Sequence, residues 1–366
     1  MDERPDTAPG PDAADDLALF RAEPRVLQRL RRLRLGSFPT PVQPFEINGR
    51  TILVKRDDRC ADGYAGNKVR KLEFLLADAL RGGARRVITA GAAGSHHALA
   101  TAWHGTRLGL DASLVLFPQR LTPHVRDIIL MDAATGAELR WVRRMEAVPW
   151  GMWRARRAHR GDAPYSVPPG GSSPVGALGY VSAGLELAEQ IASGEAPRPD
   201  RIHVAAGTLG TVAGMAVGLA WAGLDIPITA TRITSRVVTN PRVLGRLARD
   251  TVALLRAAGA SLPPADSALR LIELQHDQIG DGYGRATAAG DRATELFAVA
   301  GLTLDATYTA KAAAGLLAGP ADGLPLFWHT LSAVEPRDLL AGAVTADLPA
   351  PVRRYIDATR PAHARP

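Results

Sequence analysis

From Gly36 onward the chain alternates between short apolar runs and stretches whose apolar positions recur every three to four residues. Arg86-Val87-Ile88-Thr89-Ala90, Ala112-Ser113-Leu114-Val115-Leu116-Phe117 and Glu138-Leu139-Arg140-Trp141-Val142 read as buried strands. Helical spacing fills 95–108 and 123–134 between them. A second set follows: the strand Arg201-Ile202-His203-Val204-Ala205-Ala206, a helix over 211–222, and a strand candidate in Ile226-Pro227-Ile228-Thr229-Ala230. Such alternation implies parallel strands with crossover helices, hence an α/β protein. A Pro-, Gly- and Ser-rich stretch over 168–179 separates the sets. The pattern predicts two doubly wound domains with parallel sheets and a ligand cleft between them. The expected division is a large unit of 17–70 and 181–348, a small unit of 71–180, and a C-terminal tail from 349 to 366.

Composition narrows the classes. The 366 residues suffice for two compact units, and the net charge of +7 is mild for that length. The arginines are widely spread, with no interleaved aromatics, so nucleic acid is not an expected partner. Arg29, Arg31, Arg32 and Arg34 do cluster, but leucines interleave them as in an amphipathic helix. Cys60 is the single cysteine, which leaves no intrachain disulfide and no thiolate metal cluster. No apolar run reaches membrane-spanning length. Residues 1–16 are acidic and Pro/Ala-rich without an apolar signal core, so a disordered leader and a cytoplasmic location are expected.

The charge inventory points to chemistry. Only four lysines, Lys55, Lys68, Lys71 and Lys311, stand among 40 arginines. Arginine stays protonated, whereas lysine can lose its proton and attack a carbonyl. Lys68 and Lys71 share the stretch Gly66-Asn67-Lys68-Val69-Arg70-Lys71-Leu72-Glu73. There Leu72, Leu75, Leu76, Ala79 and Leu80 mark a helix closed by Gly82-Gly83. Lys68 falls in its first turn, where the helix dipole disfavours an ammonium. Lys71, one turn on, either supports a site or faces solvent. Between the strand at 201–206 and its helix lies Gly207-Thr208-Leu209-Gly210-Thr211, suited to an anion at a helix start. It is neither a Walker loop nor a Gly-x-Gly-x-x-Gly fingerprint, which disfavours a nicotinamide enzyme. An amine-bearing lysine with a separate phosphate cradle points to pyridoxal 5′-phosphate.

Several segments in order make the chain resemble the family of 1-aminocyclopropane-1-carboxylate deaminase and D-cysteine desulfhydrase. These are pyridoxal-phosphate enzymes of the tryptophan synthase β-subunit fold (fold type II). The likeness runs over about residues 36–345. It comprises Phe38-Pro39-Thr40-Pro41, Lys55-Arg56-Asp57-Asp58, the Lys68 segment, Ile88-Thr89-Ala90-Gly91, the segment 170–180, the 207–211 loop, 305–311 and His329-Thr330. The resemblance implies that Lys68, beside Asn67, carries the cofactor. It implies a phosphate on Gly207, Thr208, Leu209, Gly210 and Thr211, and Ser95 near the substrate carboxylate. Tyr283 and Tyr308 match two active-site tyrosines, and Thr309 the residue facing the pyridine nitrogen. Family deaminases carry glutamate at the Thr309 position and leucine at the Thr330 position. Here both side with the desulfhydrases.

Departures accompany these matches. The family pattern Gly-Gly-Ile-Gln-Ser-Asn-His is Gly91-Ala92-Ala93-Gly94-Ser95-His96-His97 here. His96 therefore stands where an asparagine bonds the cofactor's phenolic oxygen, either replacing that donor or merely packing. His97 matches the family histidine. His96, His97 and Thr330 join Ser95 as substrate-side residues, and adjacent histidines diverging at a helix start predict no metal site. Leu331-Ser332 replaces Gly-Gly, and Ala65 replaces a glycine. The expectation is a homodimeric lyase performing α,β-elimination, or β-replacement, on a small amino acid, with an altered pocket. The alternative is a regulatory relative that holds the cofactor, or has lost it, without turnover.

Overall fold

The computed structural model describes residues 16–358. Residues 1–15 of the expected leader and 359–366 of the expected tail lie outside the described residues. Ten strands occur in chain order: β1 (Val42–Ile47), β2 (Arg50–Lys55), β3 (Arg86–Ala92), β4 (Asp111–Phe117), β5 (Glu138–Trp141), β6 (Tyr165–Ser166), β7 (Arg201–Ala206), β8 (Ile228–Arg232), β9 (Ile272–Gln275) and β10 (Pro325–Trp328). They form a six-stranded sheet ordered β1-β2-β10-β7-β8-β9 and a four-stranded sheet ordered β5-β4-β3-β6. Every pairing is parallel except β1 with β2. That hairpin turns on Asn48-Gly49, both at positive φ, as a tight hairpin turn requires.

Both sheets are covered on both faces, which is why their strands are apolar rather than alternating. Val204, Ala230 and Leu326 of the large sheet pack against Tyr180, Val181, Met215 and Leu219. On the opposite face Ile52, Val54 and Phe327 meet Phe297, Ala312 and Ala313. In the small sheet Val87, Leu114 and Leu116 pack on Leu99 and Ile128, while Ile88, Ala90 and Val115 pack on Val148 and Ala155. The fold expected from strand–helix alternation is thus the one observed.

The stretch over 168–179, read as a separator, instead leads into one of the most buried helices. Ser173 caps it, accepting a hydrogen bond from Gly176 N, and it runs Pro174–Ala192. It lies against the helix Gly210–Trp221 at backbone contact. A Cβ on Gly214 would sit 2.3 Å from Ala177 O, and one on Gly218 2.2 Å from Val181 O. These glycines let the helix bearing the 207–211 loop dock against its neighbour.

Two further expectations change. The arginine cluster is not a helix: Pro24–Arg29 ends at Leu30, which is extended. Arg32 then turns inward to Glu73 at 2.8 Å, with both side chains almost fully buried. A buried ion pair outcompetes the local helical pattern there. The segment after 349 opens with a helix, Ala350–Ala358, whose Val352 and Ile356 join the small-sheet core.

Candidate active site

A cavity of about 1170 Å³ opens between the carboxyl ends of the strands of both sheets. Ligands in parallel α/β sheets bind at such ends. Lys68 enters it from the first turn of the helix Asn67–Arg81. Gly66, at φ 87°, makes this entry possible: a Cβ there would lie 3.0 Å from both Thr330 O and Ser332 N. The Lys68 Nζ donates to Asn67 Oδ1 at 2.6 Å and lies 5.9 Å from the centre of the Tyr308 ring. Burial lowers its pKa to about 8, opposed only by the attraction of Asp305. About a tenth of the amine is therefore neutral at pH 7, far more than for an ordinary lysine, and the neutral form is what attacks an aldehyde.

The 207–211 loop lines the same cavity. Leu209 adopts a left-handed conformation (φ 68°) immediately before the helix Gly210–Trp221. This turns the loop so that Gly207, Thr208, Leu209 and Thr211 line the cavity. Gly210 does not line it; its N–H donates to Ser172 Oγ at 3.1 Å. Ser172 Oγ also lies 2.7 Å from Thr208 Oγ1, and Asn67 Nδ2 reaches Thr211 Oγ1 at 3.3 Å. Lys71 is buried here, donating to Gly170 O at 2.9 Å. A Cβ on Gly210 would lie only 3.1 Å from its Nζ. Burial and neighbouring Lys68 push the Lys71 pKa well below the usual lysine value. A lysine amine, two threonine hydroxyls and a helix start thus converge on one spot, a donor set suited to a phosphate.

Other expected residues fall as follows. Ser95 lines the cavity and caps the helix His96–Arg107, accepting from Ala98 N at 3.2 Å; its own proton stays available. Tyr283 and Tyr308 share a hydrogen bond of 2.8 Å between their hydroxyls, with rings nearly perpendicular. Burial raises both of their pKa values, so both are phenols. Thr330 lines the wall, and its carbonyl accepts from Asn67 N.

Three of the expected residues are engaged by protein partners. Thr309 is buried behind the wall. Its hydroxyl donates to Asp305 Oδ1 at 2.7 Å and accepts from Asp305 N at 2.7 Å, so its only proton is spent inside the loop. Asp305, not Thr309, lines the cavity. His97 reaches back from the cavity edge to Thr89 Oγ1 at 2.9 Å, and that hydroxyl in turn donates to Val167 O. It ties β3 to the segment after β6. His96 also uses both ring nitrogens within the protein, with Nδ1 2.7 Å from Tyr64 Oη and Nε2 3.2 Å from His124 Nε2. Burial lowers its pKa to about 4, so the ring is neutral. His96, His124 and Glu335 place three potential ligand atoms within 4.8 Å of one another, an arrangement that adjacency in sequence did not suggest.

Lys71, Ser172, His124 and Asp305 are the residues that sequence reasoning missed or left open. The rarity of lysine was a usable signal for Lys71. Ser172 and His124 are brought in by tertiary packing alone.

A nucleophilic lysine beside an anion cradle, between two doubly wound sheets, defines a pyridoxal-phosphate enzyme of fold type II. The chain matches the family model described as pyridoxal-phosphate dependent enzyme over residues 33–323, and it belongs to that family. It is 38% identical over 345 residues to nocardicin C-9′ epimerase of Nocardia uniformis subsp. tsuyamanensis, covering 90% of this chain and 99% of that protein. It is 37% identical over 334 residues to D-cysteine desulfhydrase of Salmonella choleraesuis (strain SC-B67), covering 83% and 94%. A crystal structure of an ACC deaminase homologue superposes with a TM-score of 0.72 at 31% identity, covering 88% of this chain and 98% of that one. The resemblance read from the Lys68 and Gly170 segments is borne out.

Proposed function

We propose that this enzyme removes the α-hydrogen of an amino acid with Lys68 and directs the outcome to α,β-elimination or β-replacement, as a D-cysteine desulfhydrase does. The observation that carries the reading is the Lys68 amine, held by Asn67 and shifted toward neutrality, in one cavity with Ser95 and the 207–211 cradle. When bound, pyridoxal phosphate supplies an electron-withdrawing ring that acidifies the α-hydrogen of the substrate. The chain supplies the rest. Ser95 and the first N–H groups of its helix hold the carboxylate. Lys68 is the base that takes the proton. Burial keeps Tyr283 and Tyr308 protonated, so one phenol hands a proton to a departing β-group while its neighbour fixes its orientation.

A second reading, epimerisation, is favoured by the same tyrosine pair and by the 38% identical epimerase. Inversion needs a proton donor distinct from Lys68, and Tyr308 lies against the lysine. Incubating the enzyme with cysteine or β-chloroalanine of each hand in deuterated water separates the two. Elimination releases pyruvate. Epimerisation returns the amino acid inverted and deuterated at the α-carbon. A cofactor absorption band that no amino acid perturbs, with neither product formed, would refute both and leave a regulatory cofactor-binding protein.

The division into a large unit (17–70 and 181–348) and a small unit (71–180) is supported by the separate cores of the two sheets. A homodimer is supported by Trp150 and Trp153, both more than half exposed on the helix Val148–Ala158, since aromatic side chains are enriched at interfaces. A cytoplasmic location suits a chain whose one cysteine is a buried free thiol.

A further inference from the structure

The cavity is larger than the chemistry just proposed needs. The cofactor and a cysteine together have roughly two dozen heavy atoms, a drug-sized load for which about 300–1,000 Å³ is typical. This cavity offers about 1170 Å³. The strand order shows where the surplus lies. Ser95 follows β3, next to β6 and the Gly170 loop, on the cofactor side. β5 lies two strands away, beyond β4, and the cavity continues to the residues after it. Two strand spacings amount to about 10 Å.

That outlying end has its own chemistry. Met145, Val148 and Pro149, which follow β5, make it apolar. Arg143 and Arg144 close it. Both are exposed, and neither guanidinium forms a hydrogen bond or ion pair among the described residues. Glu146 also lines this end and is paired with neither of them. Two guanidinium groups at the end of an apolar channel suit a carboxylate or similar planar anion, which arginine grips through paired N–H donors.

We propose that the substrate is an α-amino acid with a long, mainly apolar side chain ending in an anionic group, its head at Lys68 and Ser95 and its tail at Arg143 and Arg144. This rests on the amino-acid reading above and narrows it. A backbone residue spans at most about 3.3–3.6 Å over three bonds, so a 10 Å reach corresponds to about eight bonds. The side chains of cysteine and serine stop far short of that end.

The test titrates the holoenzyme's cofactor absorption with both enantiomers of α-amino diacids of increasing chain length. Neutral amino acids of matching length serve as partners. The apparent Kd is expected to fall at least tenfold from the glutamate-sized diacid to one of about eight bonds. The long diacid should also bind more tightly than its neutral partner. In the Arg143→Ala/Arg144→Ala variant that acid-over-neutral preference should shrink about tenfold. In Arg143→Glu/Arg144→Glu it should reverse toward an amine-terminated side chain. A retained cofactor band certifies that each variant is folded. A Kd indifferent to length, or an acid preference surviving both variants, overturns the inference while cysteine or β-chloroalanine still perturbs the band. A band that no amino acid of any length perturbs refutes the amino-acid reading and the inference with it.

Discussion

In the helix Asn67–Arg81, Lys68 and Arg70 stand two residues apart in opposite electrostatic settings. Arg70 is at the centre of a saturated network. Its guanidinium reaches Asp57 and Glu186 at 2.8 Å each, Glu186 also meets Lys55 at 2.6 Å, and Tyr180 and Trp328 complete the shell of Asp57. Lys68 has an amide oxygen and one carboxylate acting at longer range. Arg70 is buried, and Lys68 is half-buried at the cavity wall. Where every charge is matched, burial locks ions in place; Glu186 stays ionised down to a pKa of about 2, held by Arg70 and then Lys55. Where the match is missing, burial lowers the pKa, to about 8 for Lys68. The same helix thereby anchors the fold and presents a nucleophile.

Breaking the Lys68 side should have the largest effect. Lys68→Ala is expected to abolish the cofactor absorption band and lower turnover at least a thousandfold, as loss of an essential nucleophile does. Lys68→Arg should fail equally, because a guanidinium does not deprotonate. Spectra and turnover of purified variants check this; a variant that retains the band would show that the cofactor is held elsewhere. Breaking the saturated side should act on stability instead. Glu186→Gln leaves Arg70 and Lys55 underpaired and should cost about 3–5 kcal/mol by urea unfolding. Pairing has lowered the Glu186 pKa from 4.5 to about 2. Its stabilisation is therefore complete above pH 4.5 and lost as pH falls toward 2, amounting to about 3 kcal/mol by linkage. The variant should lack that acid-side decline.

The comparison also shows what could be read without coordinates. Lys68 was legible because lysine is scarce here and because a helix start follows Gly66-Asn67. The crossover pattern was legible because strands covered on both faces must be apolar. Which groups meet across the cavity was not. Thr309 was matched to the ring-nitrogen position by resemblance, but that its hydroxyl donates to Asp305 was not visible in the sequence. His96 looked like a substitute donor, yet Tyr64 and His124, remote in sequence, occupy both nitrogens. Lys311, noted only as one of four lysines, donates to Ile279 O and Gly282 O and so braces the loop that carries Tyr283. Periodicity reports which face is buried, not which loops converge there.

Lys71 stands between the two extremes, buried like Arg70 and unpaired like Lys68. Against the cradle it should acquire its proton together with the phosphate, because a bound anion stabilises the ammonium. Lys71→Met keeps the volume and removes the charge. The cofactor Kd is expected to weaken about 30-fold, from the loss of about 2 kcal/mol in one charge-assisted hydrogen bond. Equilibrium titration of the apoprotein with pyridoxal phosphate measures it. An unchanged Kd would assign Lys71 to bracing Gly170 alone.

The smallest effect tests the contrast most directly, because it needs no substitution. With a pKa of about 8, the Lys68 amine is mostly protonated at pH 7 and mostly neutral by pH 9. Only the neutral amine attacks the cofactor aldehyde. The rate at which the band appears on mixing apoprotein with pyridoxal phosphate should therefore rise with pH and level off just above 8, gaining about tenfold from pH 7 to the plateau. A lysine with an ordinary pKa near 10.4 would keep accelerating well beyond pH 9. A midpoint there would mean that Lys68 is solvated or paired in solution. The difference between its surroundings and those of Arg70 would then lie in access to the aldehyde, not in the charge state of the amine.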